Sequence, residues 1–294
     1  MKLDGIIIKG IGGFYYVDVD NKIYECRARG LFRNKKIKPL VGDYAIIDVI
    51  SEKEAQGYVV EIKERHVELI RPNVANVEQV IITMAVEKPS PNYILLDKLI
   101  ILAESRLLEP IICFNKVELV EEEEINRIRD IYKDAGYVVV LTSVKKNIGI
   151  EELKSVMKDS INVFAGPSGV GKSSLTNLLQ PGLELKVGEI SEKISRGKHT
   201  TRHTELIELD FGGFVLDTPG FTSLDLSMIN AEDLKLYYRE FNNLQKTCKF
   251  SDCRHINEPG CAVLEKVENK AISKMRYNSY LYIYNELAQR KERY

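Results

Sequence analysis

Gly166-Pro167-Ser168-Gly169-Val170-Gly171-Lys172-Ser173-Ser174 stands between the apolar run Ile161–Ala165 and Leu175-Thr176-Asn177-Leu178-Leu179. The first flank reads as a buried strand and the second as the start of a helix. Strand, glycine loop and helix in that order, with the spacing G-x-x-x-x-G-K-S, make a phosphate-binding loop. The glycines let successive backbone N–H groups turn inward around a phosphate, and the helix N-terminus adds partial positive charge. Lys172 is placed to reach the β- and γ-phosphates, and Ser173 to offer its hydroxyl to Mg²⁺. An ordinary Gly-rich turn would not need both flanks. The stretch therefore predicts a nucleotide-binding α/β domain with residues Gly166 through Ser174 at its site.

Downstream, Phe214-Val215-Leu216 leads into Asp217-Thr218-Pro219-Gly220. An Asp at the end of a sheet strand suits Mg²⁺ held mostly through water, and the Gly220 N–H suits a γ-phosphate sensor. The segment Ser195–Thr204 is polar, basic and Gly-containing, as a mobile switch would be. Thr200 or Thr201 offers the second hydroxyl to Mg²⁺, and the pattern does not choose between them. Phe221 follows Gly220 where many small GTPases carry a Gln that orients the attacking water. An apolar side chain cannot do that, so unaided hydrolysis is expected to be slow. His199, inside the switch, is the candidate for placing the water; contact with RNA beside Lys198 and Arg202 is its other reading.

Upstream, Ile111-Ile112-Cys113-Phe114 ends in Asn115-Lys116-Val117-Glu118. In guanine-nucleotide proteins an N-K-x-D element follows a sheet strand, and its carboxylate accepts two hydrogen bonds from the guanine N1–H and 2-amino group. Here Glu118 stands where Asp is usual. It keeps the bidentate acceptor on a side chain one methylene longer, which predicts weaker guanine binding or a slightly displaced loop. Asn115 would order the loop and the Lys116 stem would lie against the base. Thr142-Ser143-Val144, after the next strand, fits a loop backing the guanine, and equally a simple helix cap. These base-side motifs precede the phosphate loop, whereas ordinary GTPases carry them after the switches.

Around this centre the chain changes character twice. Residues 1 to about 70 look all-β, with short runs at Gly5–Lys9, Phe14–Val19, Ile23–Arg29, Tyr44–Ile50 and Tyr58–Lys63. Turns at Gly12-Gly13, Asp20-Asn21, Val41-Gly42-Asp43 and Gln56-Gly57 punctuate them. Five short strands predict a small closed barrel, an OB-fold first and an SH3-like barrel second. Arg27, Arg29, Arg33, Lys35, Lys36 and Lys38, with Phe32 among them, read as a basic loop that suits RNA, or as a plain solvated loop. After Arg71-Pro72 strands and helices alternate: Val77–Val86, Tyr93–Leu107, Ile111–Phe114, Glu121–Ala135, Tyr137–Leu141 and Ile150–Lys158. That is the rhythm of a doubly wound parallel sheet.

The last segment carries Cys248, Cys253, His255 and Cys261. Three thiolates and one imidazole are a closed tetrahedral set for one structural Zn²⁺, with no position left for a reacting water. Glu232–Phe241 and Val263–Arg290 read as helices around it. The latter interleaves Lys270, Lys274, Arg276 and Arg290 with Tyr277, Tyr280, Tyr282 and Tyr284. Most of those tyrosines are expected to pack, leaving some of the basic residues free for RNA. The other two cysteines, Cys26 and Cys113, read as ordinary strand residues. Net charge is −1, so no global basic field announces nucleic acid and any such binding must come from local patches. No apolar run approaches the length of a membrane span, and Met1–Gly5 lacks a secretory apolar core, which predicts a cytoplasmic, membrane-free protein.

The ordered set of barrel, Arg71-Pro72-Asn73-Val74-Ala75-Asn76-Val77, Asn115–Glu118, Gly166–Ser174, Asp217–Gly220 and the Cys/His cluster resembles the circularly permuted ribosome small-subunit-dependent GTPase A family. The resemblance covers essentially the whole chain. It implies an OB-fold over residues 1–70, a permuted P-loop GTPase domain over 71–225 and a helical zinc domain over 226–294. It further implies GTP and Mg²⁺, binding to the small ribosomal subunit and its rRNA late in maturation, and hydrolysis stimulated by that particle. A monomer is expected. Two other classes stay open on the residues alone: a P-loop ATPase or kinase, which Asn115–Glu118 argues against, and a non-hydrolysing RNA-binding module, which Phe221 keeps in play.

Overall fold

The computed structural model describes residues 1–30, 32, 38–70, 72–181, 204–217 and 226–291. The chain divides into two compact units: Met1–Gln79 with Lys154–Phe164 and Glu189–Phe221, and Val80–Leu153 with Ala165–Gly188 and Thr222–Tyr294.

In the first unit, β1 (Lys2–Ile11), β2 (Phe14–Val19), β3 (Lys22–Ala28), β4 (Tyr44–Ser51) and β5 (Gln56–Ile62) close into a barrel in the order β1-β2-β3-β5-β4. The strand pairs are antiparallel except β3 with β5, and that parallel pair is where the ring closes. Alternation sets the faces. Tyr24 and Cys26 of β3 point inward to Ile7, Val17, Ala45, Ile47 and Val59, while Ile23 and Arg27 face out. The Asp20-Asn21 turn has φ of 50° and 67°, the backbone of a tight hairpin whose twist matches its strands. This is the OB-type arrangement expected from the strand count.

A two-stranded hairpin, β6 (Glu68–Leu69) with β7 (Val74–Ala75), follows the barrel and was invisible as pattern because each strand is two residues long. Arg65 pins it: Nε and Nη2 donate to the fully buried Asp43 at 2.7 and 2.8 Å, and Nη1 donates to Glu68.

The main sheet uses β8 (Gln79–Ala85), β9 (Glu109–Asn115), β10 (Val138–Thr142), β11 (Ile161–Ala165), β12 (Leu206–Glu208) and β13 (Phe214–Leu216), ordered β10-β9-β8-β11-β13-β12. The doubly wound parallel sheet expected from the alternation of strands and helices carries one antiparallel edge strand. β12 runs antiparallel to β13 because a short turn through Gly212 and Gly213, both at positive φ, joins them directly. Such a turn can only make a hairpin. The helices are α1 (Tyr93–Glu104), α2 (Glu122–Asp134), α3 (Ile150–Met157) and α4 (Lys172–Leu179). Asn92 caps α1 by accepting the Leu95 N–H at 3.0 Å. Glu122–Glu124 occupy the first turn of α2, where negative charge suits the helix dipole, and its Ile125, Ile128 and Tyr132 are buried.

Two helix readings near the C-terminus are corrected. Residues Ala231–Tyr237 and Arg239–Phe241 are 3₁₀ turns rather than an α-helix; the packing of Tyr238 and Phe241, stacked at 5.1 Å and each edge-on to Tyr280, sets that path. The stretch 263–290 is also two helices, α5 (Ala262–Glu268) and α6 (Lys274–Lys291). Asn269 and Lys270 break it: Lys270 takes φ of 65°, the Asn269 side chain accepts the Ala271 N–H, and Ser273 accepts the Met275 N–H to restart the helix. Tyr277, Tyr280 and Tyr284 of α6 are buried as expected and Tyr282 is exposed. Arg276 is not free for RNA: it is 1% exposed and paired with Asp97 and Glu240. No helix among the described residues is long and apolar enough to cross a membrane.

Candidate nucleotide site and metal centre

β11 is buried throughout, and its last residue, Ala165, hands the chain to a loop whose three glycines all take positive φ: 129° at Gly166, 80° at Gly169 and 100° at Gly171. Two of them are also required by close approach. A Cβ on Gly166 would sit 2.1 Å from the Thr83 carbonyl oxygen, and one on Gly171 would sit 2.3 Å from Asn115 Nδ2. Lys172, the first residue of α4, folds back over the loop and donates to the carbonyls of Gly166 at 2.8 Å and Pro167 at 2.7 Å. Burial pushes its ammonium down to about 8. A cation stored against two neutral carbonyls inside a glycine cradle is poised to exchange them for phosphate oxygens.

Asn115 and Lys116, 55 and 53 positions away in the chain from their partners, converge on the same loop. Asn115 at the end of β9 is buried and donates from Nδ2 to the Val170 carbonyl at 2.8 Å. Its Oδ1 accepts the Thr142 hydroxyl at 3.2 Å, which ties the end of β9 to the end of β10. Lys116 takes φ of 65° and donates from Nζ to the Gly169 carbonyl at 2.8 Å and to the Lys88 carbonyl. Val117, Glu118 and Leu119 form one 3₁₀ turn. Glu118 Oε2 is buried with no hydrogen-bond partner among the described residues. An acceptor in that state carries a desolvation cost that a donor from a ligand would relieve. Ser143 is buried, accepts the Lys146 N–H at 3.0 Å and pairs by backbone with Ile148, while Val144 is half-buried. Ser143 closes the turn over 143–148 and caps no helix, since α3 starts only at Ile150, so the helix-cap alternative is not met; Thr142 and Ser143 clamp the ends of β9 and β10.

Asp217 follows β13 and donates its N–H to the Glu205 carbonyl; burial first, and Glu205 second, raise its carboxyl. His199, Thr200, Thr201, Gly220 and Phe221 lie outside the described residues, as do Arg33, Lys35 and Lys36. Of the basic set that is described, Arg27 sits within β3 with its guanidinium 4.6 Å from the Phe14 ring centre, so it belongs to the barrel wall rather than to a loop. Arg29 pairs with Asp48 at 2.8 Å, and the Lys38 carbonyl accepts from Arg65. Lys88 and Thr83, which frame the phosphate loop, carry no pattern that would have marked them in the sequence.

Cys248, Cys253, His255 and Cys261 bring one ligand atom each to within 4.8 Å of one another. The imidazole presents Nδ1, 3.4 Å from Cys261 Sγ and 3.7 Å from Cys248 Sγ, while Nε2 is buried without a partner among the described residues. Burial, then Lys235, holds the imidazole down at about 4, so it is neutral and ready to ligate. Burial pushes the Cys253 thiol up to about 12 and raises that of Cys261, so thiolates here need a cation to compensate them. This donor set fits zinc, and with three sulfurs and one nitrogen it is closed.

A family model described as RsgA GTPase matches residues 62–227, and one described as RsgA N-terminal domain matches residues 4–59. The small ribosomal subunit biogenesis GTPase RsgA of Caldanaerobacter subterraneus subsp. tengcongensis is 51% identical over 292 residues, spanning 99% of this chain and 98% of that protein. The crystal structure of YloQ, described as a circularly permuted GTPase, is similar with a TM-score of 0.85 and 39% identity, over 100% of this chain and 98% of that one. That of YjeQ from Thermotoga maritima is similar with a TM-score of 0.84 and 37% identity, over 98% and 99%.

Proposed function

The chain belongs to the RsgA GTPase family, and from that premise we propose that it hydrolyses GTP on the small ribosomal subunit, late in the subunit's maturation, and leaves once hydrolysis is complete. The enzyme is a P-loop GTPase with permuted motif order, an N-terminal OB-type barrel and a C-terminal Cys₃His zinc site. We take its modules as residues 1–70, 71–225 and 226–294. What carries the site assignment is the closure of Asn115 and Lys116 onto Val170 and Gly169, which supports one pocket gripping base and phosphates of the same nucleotide.

In that pocket the backbone N–H groups of Gly166 through Ser174 cradle the phosphates, and Lys172 leaves its two carbonyls for the β- and γ-oxygens. Ser173, Asp217 and one of Thr200 or Thr201 would hold Mg²⁺, which would neutralise charge on those oxygens. Glu118 accepts from the guanine N1–H and 2-amino group, and Thr142, Ser143 and Val144 back the base. The Gly220 N–H reads the γ-phosphate. His199 places the attacking water in the absence of a Gln. The basic set Arg27, Arg29, Arg33, Lys35, Lys36 and Lys38 is assigned to rRNA binding, the chain acts as a monomer, and it works in the cytoplasm away from membranes.

Turnover of GTP by the purified chain is expected to rise sharply when purified small ribosomal subunits are added, and to stay low with large subunits. Absence of turnover under both conditions would favour the non-hydrolysing module. Binding to the subunit is expected to be tighter with a non-hydrolysable GTP analogue than with GDP, and to weaken as salt rises, since phosphate contacts release counterions. Equal affinities would remove the gating by nucleotide. For base choice, Glu118→Ala should weaken GTP binding by about 10- to 100-fold, the worth of hydrogen bonds to a charged acceptor, and leave ATP binding unchanged. Equal losses for GTP and ATP would detach Glu118 from the base.

A further inference from the structure

The loop Cys253–Asn257 carries two of the four zinc ligands and is held largely by groups that are not ligands. Three of its N–H groups converge on one carboxylate. Glu258 Oε1 accepts from Arg254 at 2.9 Å, and Oε2 accepts from Ile256 at 2.8 Å and Asn257 at 3.1 Å. Its carbonyls face outward to donors on neighbouring elements. Lys235 Nζ donates to Cys253 at 2.9 Å, the Tyr280 hydroxyl to Arg254, and the Tyr277 hydroxyl to both His255 at 2.9 Å and Ile256 at 3.1 Å. Between these two sets His255 takes φ of 61°, a backbone state that a histidine holds only when its surroundings impose it.

This loop therefore has a partner for nearly every backbone polar group before any side chain meets a metal. We propose that Glu258 is the positioning residue of the zinc centre: by gathering three N–H groups it fixes the Cys253 and His255 backbones in ligating geometry, with Tyr277 and Tyr280 bracing the opposite edge. The carboxylate is suited to this task at any physiological pH. Burial alone would raise it, and the N–H groups of Arg254, Ile256, Glu258 itself and Asn257 outweigh that and hold it at about 2. The consequence separates this centre from zinc fingers that are unfolded without metal. Here the loop has hydrogen-bond partners of its own, and zinc affinity depends on a residue that never touches zinc.

The test uses the full-length chain and measures zinc affinity by competition with a chromogenic chelator. Outer groups that orient ligands typically set 10- to 100-fold of metal affinity, so Glu258→Ala is expected near the upper end and Glu258→Gln, which keeps one acceptor oxygen, about tenfold down. Glu268→Gln, exposed on α5, should leave zinc binding at the parent level. Tyr277→Phe retains the ring and loses only the hydroxyl, so it keeps the question open to measurement even where Glu258→Ala folds poorly; a several-fold loss is expected. The rise in Tm on adding zinc to the stripped chain should shrink in the same order. Parent-like zinc affinity in Glu258→Gln and Tyr277→Phe would overturn the proposal, as would a fall in Tm that is the same with and without zinc.

Discussion

Lys172→Ala is expected to lower GTP turnover by about 10²- to 10³-fold, the cost of removing one preorganised electrostatic contact to a developing charge. The Lys172 ammonium rests on the Gly166 and Pro167 carbonyls at 2.8 and 2.7 Å. Those are neutral acceptors, poorer partners for a cation than phosphate oxygens. Exchange on binding is therefore downhill, and the gain grows as negative charge shifts between β- and γ-phosphates in the transition state. The loss should appear in single-turnover rate as well as in affinity. Lys172→Arg keeps the charge on a bulkier planar head and should remain strongly impaired, because the cradle is closed by Thr83 and Asn115 at its glycines. The same ammonium gives a pH signature. Burial holds it at about 8 without nucleotide, and an anionic phosphate must raise it again. Binding then takes up a proton wherever the free lysine has lost it, so GTP affinity should fall about tenfold per pH unit above about pH 8 and be flat below. Calorimetry in buffers of different ionisation enthalpy reads that proton directly. Turnover of Lys172→Ala within a few-fold of the parent would mean that hydrolysis does not run through this loop.

Much of this site was legible in the sequence for a physical reason: its chemistry is carried by short contiguous segments. The glycines at 166, 169 and 171 and the lysine at 172 are all dictated by one loop, so nine residues suffice to read it. The metal set is similarly compact, with Cys248 to Cys261 spanning one knuckle. The barrel could be read from its turns, because Gly12-Gly13 and Asp20-Asn21 sit at positive φ where other residues would be strained. What could not be read depends on distant partners. Nothing in the alternation of α6 distinguishes Arg276, buried against Asp97 179 positions away, from Arg290, which pairs one helical turn back with Glu286. Glu258 looks like one more polar residue of a polar knuckle until the path of the chain turns three N–H groups toward it. The 3₁₀ turns at 231–241 have helical spacing and helical composition, and only the aromatic packing of Tyr238 and Phe241 against Tyr280 decides their tighter winding.

The largest effect on stability is expected from Arg276→Ala, which should cost about 3–5 kcal/mol, the usual result of stranding a buried charge. At 1% exposure the guanidinium donates to Asp97, itself 1% exposed, and to Glu240 at 2.9 Å, and the rings of Tyr238, Tyr132 and Tyr137 lie 4.6, 5.4 and 5.5 Å from its Cζ. One cation thus compensates two carboxylates that have almost no water. Removing it leaves both uncompensated, whereas Asp97→Ala leaves Arg276 its bonds to Glu240 and should cost less. Replacing the set together, as Asp97→Leu with Arg276→Met and Glu240→Gln, should recover much of the loss, because the desolvation of the ions disappears with their attraction. The pH dependence separates this from a simple cavity. Burial already raises the Asp97 carboxyl with Arg276 present, and Arg276 is the main influence holding it down. Without the arginine the folded chain binds protons that the unfolded chain releases, so stability is highest below the ordinary carboxylate range and falls as pH rises through the raised folded value. Arg276→Ala should therefore lie closest to the parent in Tm near pH 4 and fall behind by roughly 10 °C at neutral pH. A deficit of constant size across that range would assign the loss to missing packing against the three tyrosines and not to stranded charge.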